Sequence, residues 1–162
     1  MKWGKLGRLD MSETENIGTP PKYVGEFFHN LDPRNRVTIP STWRVEGDEQ
    51  NYYMAWPHPD GCIAVYPPAM QKRFLALAED TKQSDTKGQQ LLRRFFGKAV
   101  QFGCDKQGRV LLPESLIKHA AIDKELVLVG LGNNFQVWGA ERYTKVNDDD
   151  FNLLEAMRDL GL

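Results

Sequence analysis

The chain has 162 residues, 41% of them hydrophobic and 27% charged, with a formal net charge of −1, the balance of a soluble globular protein of one domain or two small ones. No apolar run approaches the roughly 20 residues of a membrane helix, no basic-then-apolar leader opens the chain, and two cysteines make no disulfide framework; a cytoplasmic protein is expected. The near-neutral total hides a polarised distribution: residues 81–113 hold seven basic and two acidic side chains (+5), and residues 148–162 hold one basic and five acidic (−4).

In chain order, residues 1–22 read as a flexible polar arm, ending in the prolines Pro20 and Pro21. A first repeat then spans 23–82. It opens with the strand-like "YVGEFFHNL" (23–31) and continues through "LDPRNRVTIP" (31–40). A short helical stretch, "PSTWR", follows, opening at a proline, whose missing N–H has no helical partner in a first turn. A hairpin "YYMAW"–"PHPDG"–"CIAVY" and the helix "PPAMQKRFLALAEDTK" complete the unit. Residues 83–98 form a connecting helix with Ser84 as the expected N-cap. Its stripe of Leu91, Leu92, Phe95, Phe96 and Ala99 is expected to face a core, which leaves Arg93, Arg94 and Lys98 outward.

The second repeat, 99–147, writes the same order again: the strand "KAVQFGC" (98–104), "CDKQGRVLLP" (104–113), the helical "PESLIKHA", the hairpin "ELVLV"–"GLGNN"–"FQVWG" and the helix "AERYTKV". Asp32 aligns with Asp105, Arg36 with Arg109, Val37 with Val110 and Pro40 with Pro113, each 73 positions apart, whereas Tyr66 aligns with Trp138 at 72. The chain is therefore a duplicated supersecondary unit, too short to be a solenoid. The last segment, 148–162, reads as a terminal helix with aspartates at its N-terminus, docked through Phe151, Leu154 and Met157. Cys62 and Cys104 are expected to be small buried hydrophobes.

The repeated phrase is a turn with stated chemistry. Asp32 and Asp105 can accept a backbone N–H two residues on, and Pro33 presets its own φ. Asn35 and Gly108 are residue types that tolerate positive φ, as a type I turn followed by one left-handed residue requires. Arg36 and Arg109 come immediately after that pivot. Two readings stand open for them. Each arginine pairs with its own aspartate and stiffens the turn, or each presents a planar guanidinium to phosphate or a base edge. Arg34 at the first tip, with Lys106 and Gln107 at the second, adds charge that the turn itself does not need.

The doubled phrase, together with "RFFGKAV", "KELVLVG" and "FQVW", resembles the MraZ family of the AbrB-like, swapped-hairpin barrel superfamily, over about Tyr23 to Val146. The resemblance implies a mainly β fold with short helices (α+β): a pseudo-two-fold swapped-hairpin β-barrel built from two repeats, with flanking helices. It implies a bacterial transcriptional regulator, a repressor of the division and cell-wall gene cluster. Such a protein assembles into a nucleoid-associated ring and binds tandem repeats in double-stranded promoter DNA. The family motif of Asp, three residues, then Arg falls on Asp32 and Arg36 and on Asp105 and Arg109; Asn35 stands where Gly is usual. The expected DNA-binding residues are Arg34, Arg36, Lys106 and Arg109, with Asp32, Asn35, Asp105 and Gly108 shaping the turns.

Two other classes are weighed against this. An enzyme is disfavoured: "GLGNNF" (130–135) lacks a dinucleotide loop's third glycine and leads into a strand. His29, His58 and His119 with the two cysteines have no metal-ligand spacing, so no catalytic residue, metal or cofactor is expected. The alternative is an antitoxin-like barrel that neutralises a partner protein, although two copies in one chain fit it less well.

Overall fold

The computed structural model describes residues 22–44, 52–147 and 151–162. The expected arm lies outside these residues apart from its last position, and so do the aspartates at 148–150. The first repeat contains β1 (Glu26–Asn30), β2 (Arg36–Thr38), a 3-10 turn (Ser41–Trp43), β3 (Tyr52–Pro57), β4 (Ile63–Tyr66) and α1 (Pro68–Asp80). After α2 (Thr86–Phe96), the second contains β5 (Val100–Gly103), β6 (Arg109–Leu111), α3 (Glu114–His119), β7 (Glu125–Gly130), β8 (Phe135–Gly139) and α4 (Ala140–Asn147). The chain ends in α5 (Leu153–Asp159).

Six strands form one antiparallel sheet in the order β1-β7-β8-β4-β3-β5, and β2 pairs with β6 in a separate two-stranded ribbon. The order is symmetric about the β8–β4 junction. The first strand of each repeat pairs with the hairpin of the other, β1 on β7 and β5 on β3. The fold is mainly β with short helices, and the swap is present. The expected barrel is not a closed ring of strands: β1 and β5 are the edges of an open sheet, and the ribbon lies across its inner face.

Pairing also locates the break in the repeat's register. Met54 faces Tyr66 and Val127 faces Trp138, so the offset changes from 73 to 72 within the hairpin loop, which runs over 58–62 in one copy and 131–134 in the other.

Alternation sorts the side chains into two layers. The inner face supplies Tyr53, Ala55, Ile63, Val65, Leu126, Leu128, Phe135 and Val137. The ribbon closes over them with Val37 and Val110, and the helical turns that follow add Trp43 and Leu116. Trp43 is the hub, with ring centroids 5.1 Å from both Phe27 and Phe135 and its indole N–H donated to the Val24 carbonyl at 3.2 Å. The outer face is divided. Met54, Ala64 and Tyr66 are covered by α1 and α2 through Met70, Phe74 and Phe95. Cys62, Val127 and Trp138 are covered by Tyr143 of α4. Both cysteines are buried and unbridged, and burial pushes the Cys62 thiol up to about 12.

Three local expectations need correction. The cap of α2 is Asp85 and not Ser84: its carboxylate accepts the Gly88 N–H at 2.9 Å, and a carboxylate there also complements the helix dipole. The α2 stripe is only partly core, because the helix covers the outer face from one side; Phe95 packs inward while Leu91 and Phe96 remain exposed. The terminal helix forms, capped by Asn152, but Phe151, Leu154 and Met157 are exposed instead of docked. No helix among the described residues is long and apolar enough to cross a membrane.

Candidate nucleic-acid interface

Each tip is closed by backbone and carboxylate together. At the first, Asn35 N–H donates to the Asp32 carbonyl at 3.0 Å and Asp32 N–H to the Arg36 carbonyl at 2.9 Å. One carboxylate oxygen of Asp32 accepts the N–H groups of Arg34 at 2.9 Å and Arg36 at 2.7 Å. The other accepts Arg36 Nε at 2.7 Å. The second tip repeats the pattern. Gly108 N–H reaches the Asp105 carbonyl at 3.0 Å and Asp105 N–H the Arg109 carbonyl at 2.9 Å. Asp105 then takes Gln107 N–H and Arg109 N–H at 2.9 Å each and Arg109 Nε at 2.8 Å. The pivots have positive φ, 61° at Asn35 and 77° at Gly108, as the turn chemistry demands.

These bonds set the charge state. At Asp32, desolvation pushes the carboxyl up, but the Arg36 backbone N–H, the Arg36 side chain and the Arg34 N–H outweigh it and hold the group below the usual aspartate range. At Asp105 the Arg109 backbone N–H is the largest influence; opposed by some desolvation and helped by the Arg109 side chain and Gln107 N–H, it lowers that carboxyl too.

The local ion pair expected of each arginine is therefore present. It engages Nε, and each arginine side chain keeps about a quarter to a third of its surface exposed, 26% at Arg36 and 32% at Arg109. The pair orients the guanidinium plane and leaves its outer edge at the surface.

The ribbon brings the two copies together. Arg36 faces Leu111, Val37 faces Val110 and Thr38 faces Arg109. Val37 and Val110 point into the core, so Arg36, Thr38, Arg109 and Leu111 share the outward face. Arg36 and Arg109 are diagonal neighbours, roughly 7–8 Å apart between Cα atoms. Backbone bonds from Leu112 N–H to the Asn35 carbonyl at 2.9 Å and from Ile39 N–H to the Gly108 carbonyl at 2.8 Å extend the pairing to both pivots. From Asn35 to Ile39 the strand rises about 13 Å, so exposed Arg34 and Lys106 stand at the two ends of a very short ribbon.

One residue beyond the expected set joins the second tip. Arg44 packs its guanidinium over Gly108, so close that a Cβ there would lie 2.2 Å from Nη1. Its Nε is buried without a hydrogen-bond partner among the described residues. No repeat signal marks Arg44, because its counterpart 73 positions on is Ile117. Conversely, the basic stretch 81–113 does not make one basic face. Arg93 and Arg94 ride on α2, which packs on the outer side of the sheet, while Lys106 and Arg109 belong to the ribbon on the inner side. The histidines His58 and His119 serve the fold: the His119 ring meets the His58 carbonyl at 2.6 Å, and Arg142 ties Gly61 to His119 through their carbonyls at 2.7 and 2.9 Å.

Comparison with known proteins converges on one family. A protein from Clostridium acetobutylicum named "Transcriptional regulator MraZ" is 34% identical over 144 residues, covering 86% of this chain and 99% of the relative. This chain belongs to the MraZ family. Two more MraZ proteins bearing the same name, from Lactobacillus johnsonii and Heliobacterium modesticaldum, are each 33% identical; they cover 86% and 78% of this chain and 99% and 87% of their own lengths. The family model described as "MraZ protein, putative antitoxin-like" matches residues 95–158, a span that contains the second tip.

Proposed function

We propose that this MraZ-family chain is a sequence-specific DNA-binding transcriptional regulator and not an enzyme, with Arg34, Arg36, Lys106 and Arg109 as its DNA contacts. The observation that carries the reading is the β2–β6 ribbon. It sets both pinned arginines on one outward face between two cationic tips, at a size that suits a major groove of about 12 Å. Phosphate contacts from Arg34 and Lys106 set position, and base-edge contacts from Arg36 and Arg109 set sequence. The relatives' printed names support regulation of transcription. The resemblance adds the finer reading: a cytoplasmic, nucleoid-associated ring that represses the division and cell-wall gene cluster. Repeated tips along a ring would engage tandem promoter repeats, each bound site raising the effective concentration of the next.

Fluorescence anisotropy on DNA from the chain's own upstream promoter region tests it. Arg36→Ala is expected to weaken binding roughly 5- to 150-fold, the loss of one bidentate base contact; undiminished affinity ends the assignment. A second reading, an antitoxin-like barrel that binds a protein partner, is favoured by the description of the matching family model. Salt separates the two. About two phosphate neutralisations per bound chain give a slope of log K on log salt near −2, whereas a flat slope favours the protein partner.

A further inference from the structure

Four side chains share the outward face of the β2–β6 ribbon, and they form two pairs related by the internal repeat. Arg36 faces Leu111, and Arg109 faces Thr38. Arg36 and Arg109 are 73 positions apart, and so are Thr38 and Leu111. Backbone bonds join Asn35 to Leu112 and Ile39 to Gly108. Such bonded pairs alternate along an antiparallel ribbon, so both outward pairs fall at the closely spaced positions between them. Their Cα atoms are about 4.5 Å apart and their side chains lie close together.

The two pairs differ at one place. Beside Arg109 stands exposed Thr38, which offers both a hydroxyl and a methyl group. Beside Arg36 stands Leu111, which is 58% exposed and offers no polar side-chain atom. Val110, its neighbour on the same strand, fills the core, so alternation turns Leu111 outward. There it joins no apolar cluster of the described residues. A lone exposed leucine is ordinary on a protein surface. This one stands directly against a guanidinium that Asp32 holds in place, on the face that carries both arginines.

Base-pair edges in the major groove offer one apolar group, the C5-methyl of thymine, and apolar side chains meet it there. Successive nucleotides rise about 3.4 Å along a strand. A side chain about 4.5 Å from Arg36 therefore reaches the base pair next to a guanine that Arg36 reads. We propose that Leu111 is a specificity-determining residue, in contact with the methyl group of a thymine adjacent to that guanine. The hydroxyl of Thr38 suits more than one base, so the Arg109 half is tolerant where the Arg36 half is selective. This rests on the DNA-binding reading above and names what the ribbon selects beside its arginines. The competing role for Leu111 is to shield the aliphatic stem of Arg36, and that role is blind to a methyl group on the DNA.

Deoxyuridine in place of thymidine removes that methyl and keeps the pairing edge. Fluorescence anisotropy on the upstream promoter DNA compares the natural duplex with one in which every thymine is replaced, and then with single replacements. For the wild-type chain, one position per bound site is expected to weaken binding about fourfold, the worth of one buried methyl-sized group. Leu111→Ala, checked for folding by circular dichroism, is expected to bind the natural duplex about as weakly and to show no penalty for deoxyuridine at that position. Leu111→Gln serves the same comparison should the alanine variant fail to fold. A change of DNA shape caused by the missing methyl would penalise wild type and variant alike. A wild-type chain indifferent to deoxyuridine, or a penalty that survives in full without Leu111, overturns the proposal. Arg36→Ala in the same assay keeps the two readings apart. If it loses binding while the deoxyuridine scan is flat, the DNA reading stands and the assignment of Leu111 falls; a wild type that binds no promoter DNA ends both.

Discussion

Asp32 and Asp105 close their tips through the same set of backbone and carboxylate hydrogen bonds, yet the two tips are seated differently. The second rests under a half-buried arginine: Gly108 is covered by the Arg44 guanidinium. The first has no such lid, because the residue that matches Arg44 in the other repeat is Ile117, which packs against the main core. The comparison teaches that the tip is self-contained. Aspartate, pivot and arginine hold each other within five residues, so what lies around them can diverge without disturbing how the guanidinium is presented.

The largest test of that equivalence lies beneath the tips. Trp43 and Leu116 occupy matching positions after the ribbon strands and both are fully buried. Trp43→Ala is expected to cost about 3–5 kcal/mol and Leu116→Ala about 2–5 kcal/mol, read as shifts in the urea midpoint. A negligible loss at either would mean that only one repeat supports the ribbon. Next come the pivots. Gly108→Ala meets both a positive φ and the Arg44 side chain and is expected to cost about 1–3 kcal/mol. Asn35→Gly should change stability by less than about 1 kcal/mol; equal effects would erase the asymmetry.

The smallest effect is in pH. Both aspartates have folded-state pKa values below the ordinary value, so the unfolded chain takes up protons first. Their contribution is complete above about pH 3.9 and is lost only as pH falls through the lowered values. Carboxyl carbon NMR titrations should therefore show both tips unchanged at neutral pH and titrating together below about 3.9. Separate midpoints would measure how far the two environments differ.

The tips were legible in the sequence because their physics is local: Asp, a residue tolerant of positive φ, then Arg. The duplication was legible for the same reason, and register shows that the missing residue falls in the second hairpin loop. Strand partners were not. Alternation assigns a face to Phe27 or Val100 but names no neighbour, so the exchange of β1 and β5 between repeats came only through the family resemblance. Its barrel proves to be an open sheet with a ribbon laid across it. Ser84 and Asp85 are both cap-forming types, and periodicity does not choose between adjacent residues. Arg44 left no trace because its role depends on packing against Gly108 of the other repeat's tip. The apolar spacing of Phe151, Leu154 and Met157 announced a contact surface without saying that the rest of the chain leaves it uncovered.

The pairing of β1 with β7 has a consequence for synthesis. Glu26 lies opposite Val129, about 100 residues later in the chain. At 5–20 residues per second on the ribosome, the first strand waits roughly 5–20 s for a partner, with Phe28 on its unpaired edge. The nascent polypeptide cannot complete its sheet until nearly all of it has been translated, so a truncated product would carry an open strand that invites aggregation or capture by chaperones.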